Sequence, residues 1–425
     1  MSAVRRAAYA ALMDITERGA YANLRLKSLP EALNAQERAR VCAMVYTTLD
    51  HLLYIDFLLA HYAKGSLKPP IRCILRLGVC ELLYMRTPAH AAVSGAVSLA
   101  KALGKGALGG FINGVLRSVE RGREAPPPLP AAPAERLSVQ YSYPRWLVEQ
   151  WLAQYGEAFT EALLGIASTP LEVRPQYPFT ADALAAALPV RSRRGQWDEN
   201  CLVLEHGFRV DALPEFLDGR MSVQSQSAML VCRALGDCRG KRVLDACAAP
   251  GGKSAYIASL AENDVALTCL ELHEHRIALL KRTLERLRVR AELRRADASK
   301  PIDGFAQAFD AVLVDAPCSG LGLMGDKPDV RYAKSDADVV ALSQLQREIL
   351  SACAAYPRAG GALVYATCTI SCRENEQNVE WFLSQHPNYR LEPMPIPIEN
   401  QGSLQLFPHI HGSDGFYLAR MKRCS

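Results

Sequence analysis

Two cysteines and an aspartate in this chain stand where apolar runs meet solvent. FDAVLVDAPCSGLG brings Asp315 and Cys318 just past its last valine, and GGALVYATCTI ends with Cys368 between two threonines. A cysteine inside a core strand is an inert small hydrophobe, which suits Cys269 and Cys353. A thiol at a strand's lip, among Pro, Ser, Thr and Gly, can instead act as a nucleophile. Such a set matches the needs of alkylating carbon 5 of a pyrimidine, which is too weak a nucleophile to take a sulfonium methyl unaided. A thiolate adding to carbon 6 makes an enamine, and carbon 5 then takes the methyl. An acid must give a proton to the ring nitrogen, a place suited to Asp315, and a base must later remove the hydrogen from carbon 5. Cys372, four residues past Cys368, reads as structural.

A second constellation lies in RVLDACAAPGGKSAYIASL, a strand, a turn and a helix. Gly251 and Gly252 let a ligand approach the backbone, and the helix start offers free N–H groups. The GGKS ending invites comparison with a phosphate loop, but Cys247 stands where that loop needs its first glycine, and G-x-G-x-x-G is absent. A nucleotide-like ligand without a phosphate chain fits better. Asp245, Glu271, Asp297 and Asp315 end four successive strands. One strand-end carboxylate alone would be a helix cap. Four of them suit S-adenosylmethionine, with Glu271 placed for the ribose hydroxyls and Asp297 for the adenine amino group.

These residues need a frame. KRVLDA, DVALTCLEL, AELRRADA, FDAVLVDAP and GGALVYATC alternate with helical patterns, which predicts a parallel, doubly wound α/β sheet with its site at the strands' carboxyl ends. We expect this domain over 226–425. Ahead of it, LEVRP, CLVLEH, FRV and a helix around ADALAAAL predict a small α+β domain over 137–225. The front, 1–125, is all helical, with apolar residues three and four apart in VCAMVYTTLDHLLYIDFLLAHY and PIRCILRLGVCELLYMRT. EAPPPLPAAPAE supplies a Pro-rich linker over 126–136. Residues 1–125 carry 17 Lys and Arg against 9 Asp and Glu, so the net charge of +5 divides into +8 in front and −3 behind. That asymmetry suggests a polyanion-binding module on a separate working domain. The arginines of RIALLKRTLERLRVRAELRR read as a solvated helix face, and His409 and His411 as loop residues. Thirteen cysteines without framework spacing suggest reduced thiols in a cytoplasm; the charged start reads against a signal peptide, and no apolar run reaches bilayer length. The absence of a CxxC pair argues against a zinc site.

At DACAAPGGK, DAPCSGLG and ATCTI followed by ENE (Glu374–Glu376), the chain resembles the RNA cytosine-C5 methyltransferases. PAHAAVSGAVSLAK and GFINGVLRSV resemble the NusB-type RNA-binding domain, while PRWLVEQW and DGFYLARM also fit, so the likeness extends over nearly the whole chain to the bacterial Fmu/RsmB-type enzymes of 16S ribosomal RNA. The resemblance implies a NusB-like bundle, a Rossmann-like class I methyltransferase domain, Cys368 as nucleophile and Cys318 in resolving the adduct. It implies that Cys247, Ala248, Ala249, Pro250, Gly251, Gly252, Lys253, Glu271, Asp297 and Asp315 line the S-adenosylmethionine pocket. A monomer without metal, acting on free RNA or an assembling small subunit, is expected. Three departures stand out: Ser225 replaces the acid of a usual VQD, Gly325-Asp326 replaces a pair of arginines, and LEVRP stands for an LRVN-like strand. Transfer RNA is the alternative substrate. A non-catalytic RNA-binding factor would predict damage at Cys368, Cys318 or Asp315, and all three are intact.

Overall fold

Capping and apolar spacing set the helices of the front half. In the computed structural model, which describes residues 3–166, 168–205 and 209–424, helix Ala35–Asp50 opens on a reciprocal capping box between Asn34 and Glu37. Helix Pro69–Leu83 opens on proline, where no N–H is needed. Its buried face (Ile74, Leu75, Val79) packs with Ile112, Leu116 and Val119 of helix Gly109–Arg121. Gly78 permits the approach, since a Cβ there would lie 2.8 Å from the Leu116 side chain.

The chain divides into two compact units, and the division differs from the expected one. The helical unit runs to Ile166 and includes residues 326–334. The segment expected to open the small α+β domain instead forms helices Pro133–Tyr141, Arg145–Tyr155 and Glu157–Leu164 of this unit. The first packs on helix Leu52–Tyr62, and Trp151 is buried beside Tyr143. The Pro-rich stretch is therefore shorter than 126–136, because Pro133 starts a helix. Residues 326–334, which begin at Asp326 of the Gly325-Asp326 departure, are fastened within the same unit. Asp329 accepts from the Ala22 N–H (3.0 Å), where helix Ala22–Lys27 has no side-chain cap of its own. Arg331 lies 4.2 Å from the Tyr143 ring centre, and the Tyr332 hydroxyl donates to the carbonyls of Leu49 (2.8 Å) and Ser142 (2.7 Å).

The second unit begins with strands β1 (Leu171–Pro175), β2 (Ser192–Arg194), β3 (Leu202–Leu204) and β4 (Met221–Val223), an antiparallel sheet in the order β2-β3-β1-β4. Of the strand expected at FRV, Phe208 lies with His206 and Gly207 outside the described residues, and Val210 begins a short 3-10 turn. Next come β5 (Lys241–Asp245), β6 (Val265–Glu271), β7 (Glu292–Arg295), β8 (Phe309–Asp315) and β9 (Pro357–Thr367). They form the expected parallel core in the order β9-β8-β5-β6-β7. The chain runs outward on either side of β5, so the switch point falls between β5 and β8. The sheet is mixed: β12 (Phe416–Arg423) adds antiparallel to β9, flanked by β10 (Tyr389–Leu391) and β11 (Ser403–Leu406). All-buried runs such as Val312–Leu313–Val314 and Val364–Tyr365–Ala366 are what a sheet covered on both faces requires.

Candidate active site

β8 ends at Asp315, beside Ala366 of β9. The two chains then diverge into the loops that hold the cysteines, yet the Sγ atoms of Cys318 and Cys368 lie 3.2 Å apart, both half-buried. The sulfur–sulfur hydrogen bond, then burial, raises the Cys318 thiol well above its ordinary range, which favours the protonated form there. The neighbouring Cys368 sulfur and Glu374 carboxylate push it further the same way.

Lys253 reaches this edge from the glycine turn and donates to Asp315 at 2.7 Å. Burial alone would drive its ammonium neutral; the Asp315 carboxylate overcomes this, with help from Cys368, and the net shift is upward. A positive charge thus acts on the Cys368 sulfur, and the Lys253 nitrogen lies 5.1 Å from the Phe416 ring centre. The reading from sequence put Lys253 among the cofactor-lining residues; its ammonium pairs with Asp315, which the same reading put there too.

The remaining predicted residues gather at the ends of β5, β6 and β7. Gly251 has φ +105°, and a Cβ there would lie 2.9 Å from Leu280, so only glycine fits. Beyond it, nothing would lie within 4 Å of a Cβ on Gly252, which opens helix Gly252–Leu260. Cys247 packs at the margin of the core, its thiol raised by burial, and Ala248 and Ala249 are buried with it. Asp245 is buried: one oxygen accepts from Ser254 Oγ (2.6 Å) and the other makes no hydrogen bond. Burial, against the Ser254 bond and with the nearby Asp315, pushes it up to about 6. Glu271 accepts from the His273 N–H (2.9 Å) and pairs with Arg276 (3.3 Å). Arg276 also donates to the Ala249 carbonyl (2.8 Å), so this arginine of the basic helix serves the site instead of facing solvent alone. Asp297 accepts from Ser299 N–H and Oγ, which lower its pKa. His409 and His411 lie in the short helix Pro408–His411, where His411 Nδ1 accepts from the Phe407 N–H.

Two buried charged residues, Arg174 and Glu172, escaped the sequence reading, and a third, Glu374, entered it only within the ENE stretch and without a role. Arg174 of β1 donates to the Gly252 carbonyl (3.1 Å) and to Gln224 (2.7 Å) and Gln176 (2.8 Å), 4.6 Å from the Tyr256 ring centre. It holds the glycine turn from below. Glu172 accepts from the N–H (2.7 Å) and side chain of Gln226 and from Ser413 Oγ (2.9 Å). Glu374 lies between the two cysteine loops. The signal available was charge inside short strands or beside apolar ones, where solvation gives no reason for it.

A parallel core with acids at or just past the ends of four of its five strands and a glycine turn at the switch point is the fold of a class I methyltransferase, here with a thiol pair beside it. Comparison with known proteins bears this out. Residues 233–422 match the family described as 16S rRNA methyltransferase RsmB/F, and residues 2–121 match the NusB family. The chain is 36% identical to the probable ribosomal RNA small subunit methyltransferase B of Bacillus subtilis over 99% of each chain. It is 32% identical to the ribosomal RNA small subunit methyltransferase B of Vibrio cholerae, over 99% of this chain and 97% of that one. The crystal structure of PH0851 shares the fold over 99% of both chains, with a TM-score of 0.82 at 23% identity. That of NSun6 from Pyrococcus horikoshii with SFG covers 66% of this chain and 98% of its own, with a TM-score of 0.61 at 20% identity. The chain belongs to the ribosomal RNA small subunit methyltransferase B family.

Proposed function

We propose that this protein transfers a methyl group from S-adenosylmethionine to carbon 5 of a cytosine in 16S ribosomal RNA, through a temporary bond between Cys368 and carbon 6. The observation that carries the reading is the 3.2 Å approach of two thiols beside an Asp–Lys pair. A methyltransferase working on an oxygen or an amino nitrogen has no use for it. The relatives' names point to small-subunit RNA, the basic front suits a polyanion, and free cysteines throughout the described residues suit a cytoplasm.

S-adenosylmethionine fits the residues present: an open glycine turn, the unpartnered Asp245 oxygen, and Glu271 and Asp297 at neighbouring strand ends. When bound it supplies an electrophilic methyl on a positive sulfonium. Cys247 to Gly252 would line its path, and Glu271 and Asp297 would hold the nucleoside. In the resting site Cys318 donates to the Cys368 sulfur and Lys253 stands close by, which together favour a Cys368 thiolate. As that thiolate adds to carbon 6, the ring nitrogen takes a proton passed from Lys253 through Asp315. Carbon 5, now enamine-like, accepts the methyl. Lys253 is then recharged with the Cys318 proton, which leaves a thiolate to take the hydrogen from carbon 5. The electrons of that C–H bond form the carbon 5–carbon 6 double bond, Cys368 departs as a thiolate, and the ring nitrogen gives up its proton through Asp315 to solvent.

The test is Cys318→Ala. Without a base for the last step the adduct should persist, visible as a protein–RNA band on a denaturing gel when both substrates are supplied. Adding Cys368→Ala should remove it. If the single variant shows no such band while methylation proceeds, the covalent route is wrong.

A further inference from the structure

We propose that Glu374 is a positioning residue that holds the two thiols at reacting distance by clamping the loop of Cys318 to the loop of Cys368. This rests on the covalent reading above and deepens it. Glu374 touches neither thiol directly. One carboxylate oxygen accepts from the Ser319 N–H (2.8 Å) and from Gln346 Nε2 (3.0 Å). The other accepts a short bond from Ser319 Oγ and a longer one, 3.4 Å, from Thr369 Oγ1. Ser319 and Thr369 directly follow the two cysteines; with the Ser319 proton on Glu374, Thr369 Oγ1 donates to Ser319 Oγ at 2.8 Å, and its 3.4 Å approach to the carboxylate is the weaker share of the same proton. One carboxylate therefore gathers polar groups from both sides of the sulfur pair.

The clamp is anchored on the side away from the thiols. Gln346, on helix Asp336–Cys353, also donates to the Pro317 carbonyl (3.0 Å), just ahead of Cys318. The Glu374 carbonyl accepts from the Tyr365 hydroxyl (2.6 Å) and from Asn378 (3.1 Å). Asn375, next in line, accepts from Thr367 Oγ1 (2.6 Å) and donates to the Thr369 carbonyl (3.1 Å), bracketing Cys368 from its other side. Glu374, Asn375, Ser319, Thr369 and Gln346 are buried. Burial raises the Glu374 pKa against the bonds that lower it, so four donors hold a carboxylate that solvent does not stabilise. A merely structural ion would be free to sit anywhere in the core; this one converges on the residues that flank the sulfurs. Its charge also acts on Cys318, favouring the protonated thiol there.

The experiment measures thiol separation without RNA or turnover. Diamide, which takes up two hydrogens and leaves a disulfide crosslink only where two sulfurs can meet, is applied to the full chain, and the Cys318–Cys368 peptide pair is quantified by mass spectrometry. The native protein should crosslink there. Glu374→Gln, which keeps the volume but replaces one acceptor with a donor facing two hydroxyls, should crosslink at least tenfold less while retaining its melting temperature and S-adenosylmethionine affinity. Its kcat should fall about 100-fold with the KM for RNA little changed, the penalty of a misplacement near 1 Å. Glu374→Asp, which keeps the charge on a shorter arm, should recover part of both. Undiminished crosslinking in Glu374→Gln overturns the proposal whatever its activity. Lost crosslinking with full activity leaves the clamp standing and refutes the covalent reading instead. If Glu374→Gln lowers the melting temperature, Ser319→Ala, which removes one arm and leaves the carboxylate its other donors, carries the same crosslinking test with the same two outcomes.

Discussion

The departures at LEVRP and at Ser225 meet in the fold, which makes them a measurable pair. Ser225 is the N-cap of helix Gln226–Arg233 and makes no side-chain cap bond there. Glu172, from the neighbouring strand β1, accepts the first N–H of that helix, along with the Gln226 side chain and Ser413 Oγ. An acid usual at the cap is thus supplied from the side, by a carboxylate only 3% exposed. Each hydrogen bond to a charged group contributes about 1.5–3 kcal/mol, non-additively, and burying the carboxylate offsets part of that. We therefore expect Glu172→Ala to cost roughly 2–4 kcal/mol. Ser225→Asp alone would set a second carboxylate against Glu172 and should cost about 1 kcal/mol or more. In the double variant the new aspartate meets the helix start without a rival, and a cap of this kind contributes about 1 kcal/mol. Urea denaturation of all four proteins gives the coupling, which should favour the double variant by more than about 1.5 kcal/mol. Effects that add to within about 0.5 kcal/mol would refute the compensation.

Other perturbations follow from the same geometry. Asp245, with a folded pKa near 6 against an ordinary 3.8, binds its proton more tightly folded than unfolded, so its ionised form costs stability as pH rises between those values. Asp245→Asn should therefore raise the cofactor-free melting temperature at pH 7, by the equivalent of at most about 3 kcal/mol. The gain should fade as pH drops toward 4, and a gain independent of pH would contradict the assignment. Cys368→Ala should abolish methyl transfer while isothermal titration finds S-adenosylmethionine affinity unchanged, because the thiol faces the base; retained activity would remove the nucleophile. RNA affinity of that same inactive variant should fall about 10³-fold between 50 and 200 mM salt if six phosphates are engaged. An affinity indifferent to salt would return the basic front to an ordinary solvated surface.

What could be read from sequence were the groups whose neighbours in the chain already betray them. Cys318 and Cys368 follow apolar strands directly, and the strand-end acids mark the site because a parallel sheet gathers its carboxyl ends on one edge. Residues 326–334 could not be placed this way: KPDVRY is a polar loop by composition, and only its partners Ala22, Leu49 and Tyr143, some 190 to 310 positions distant, make it part of the helical unit. The burial of Glu172, Arg174 and Glu374 was hidden for a related reason, since a charged residue reads as solvated until the fold removes its water. Lys253 is the instructive middle case. It occupies the second position of its helix, the positive end of the dipole, where a cation is unfavourable and phosphate-binding loops tolerate one only because an anion faces it. With the phosphate loop ruled out by Cys247, a lysine there still demands a negative partner. The protein supplies its own in Asp315, 2.7 Å away. That demand was present in the sequence, and following it would have paired Lys253 with a strand-end acid before any coordinates existed.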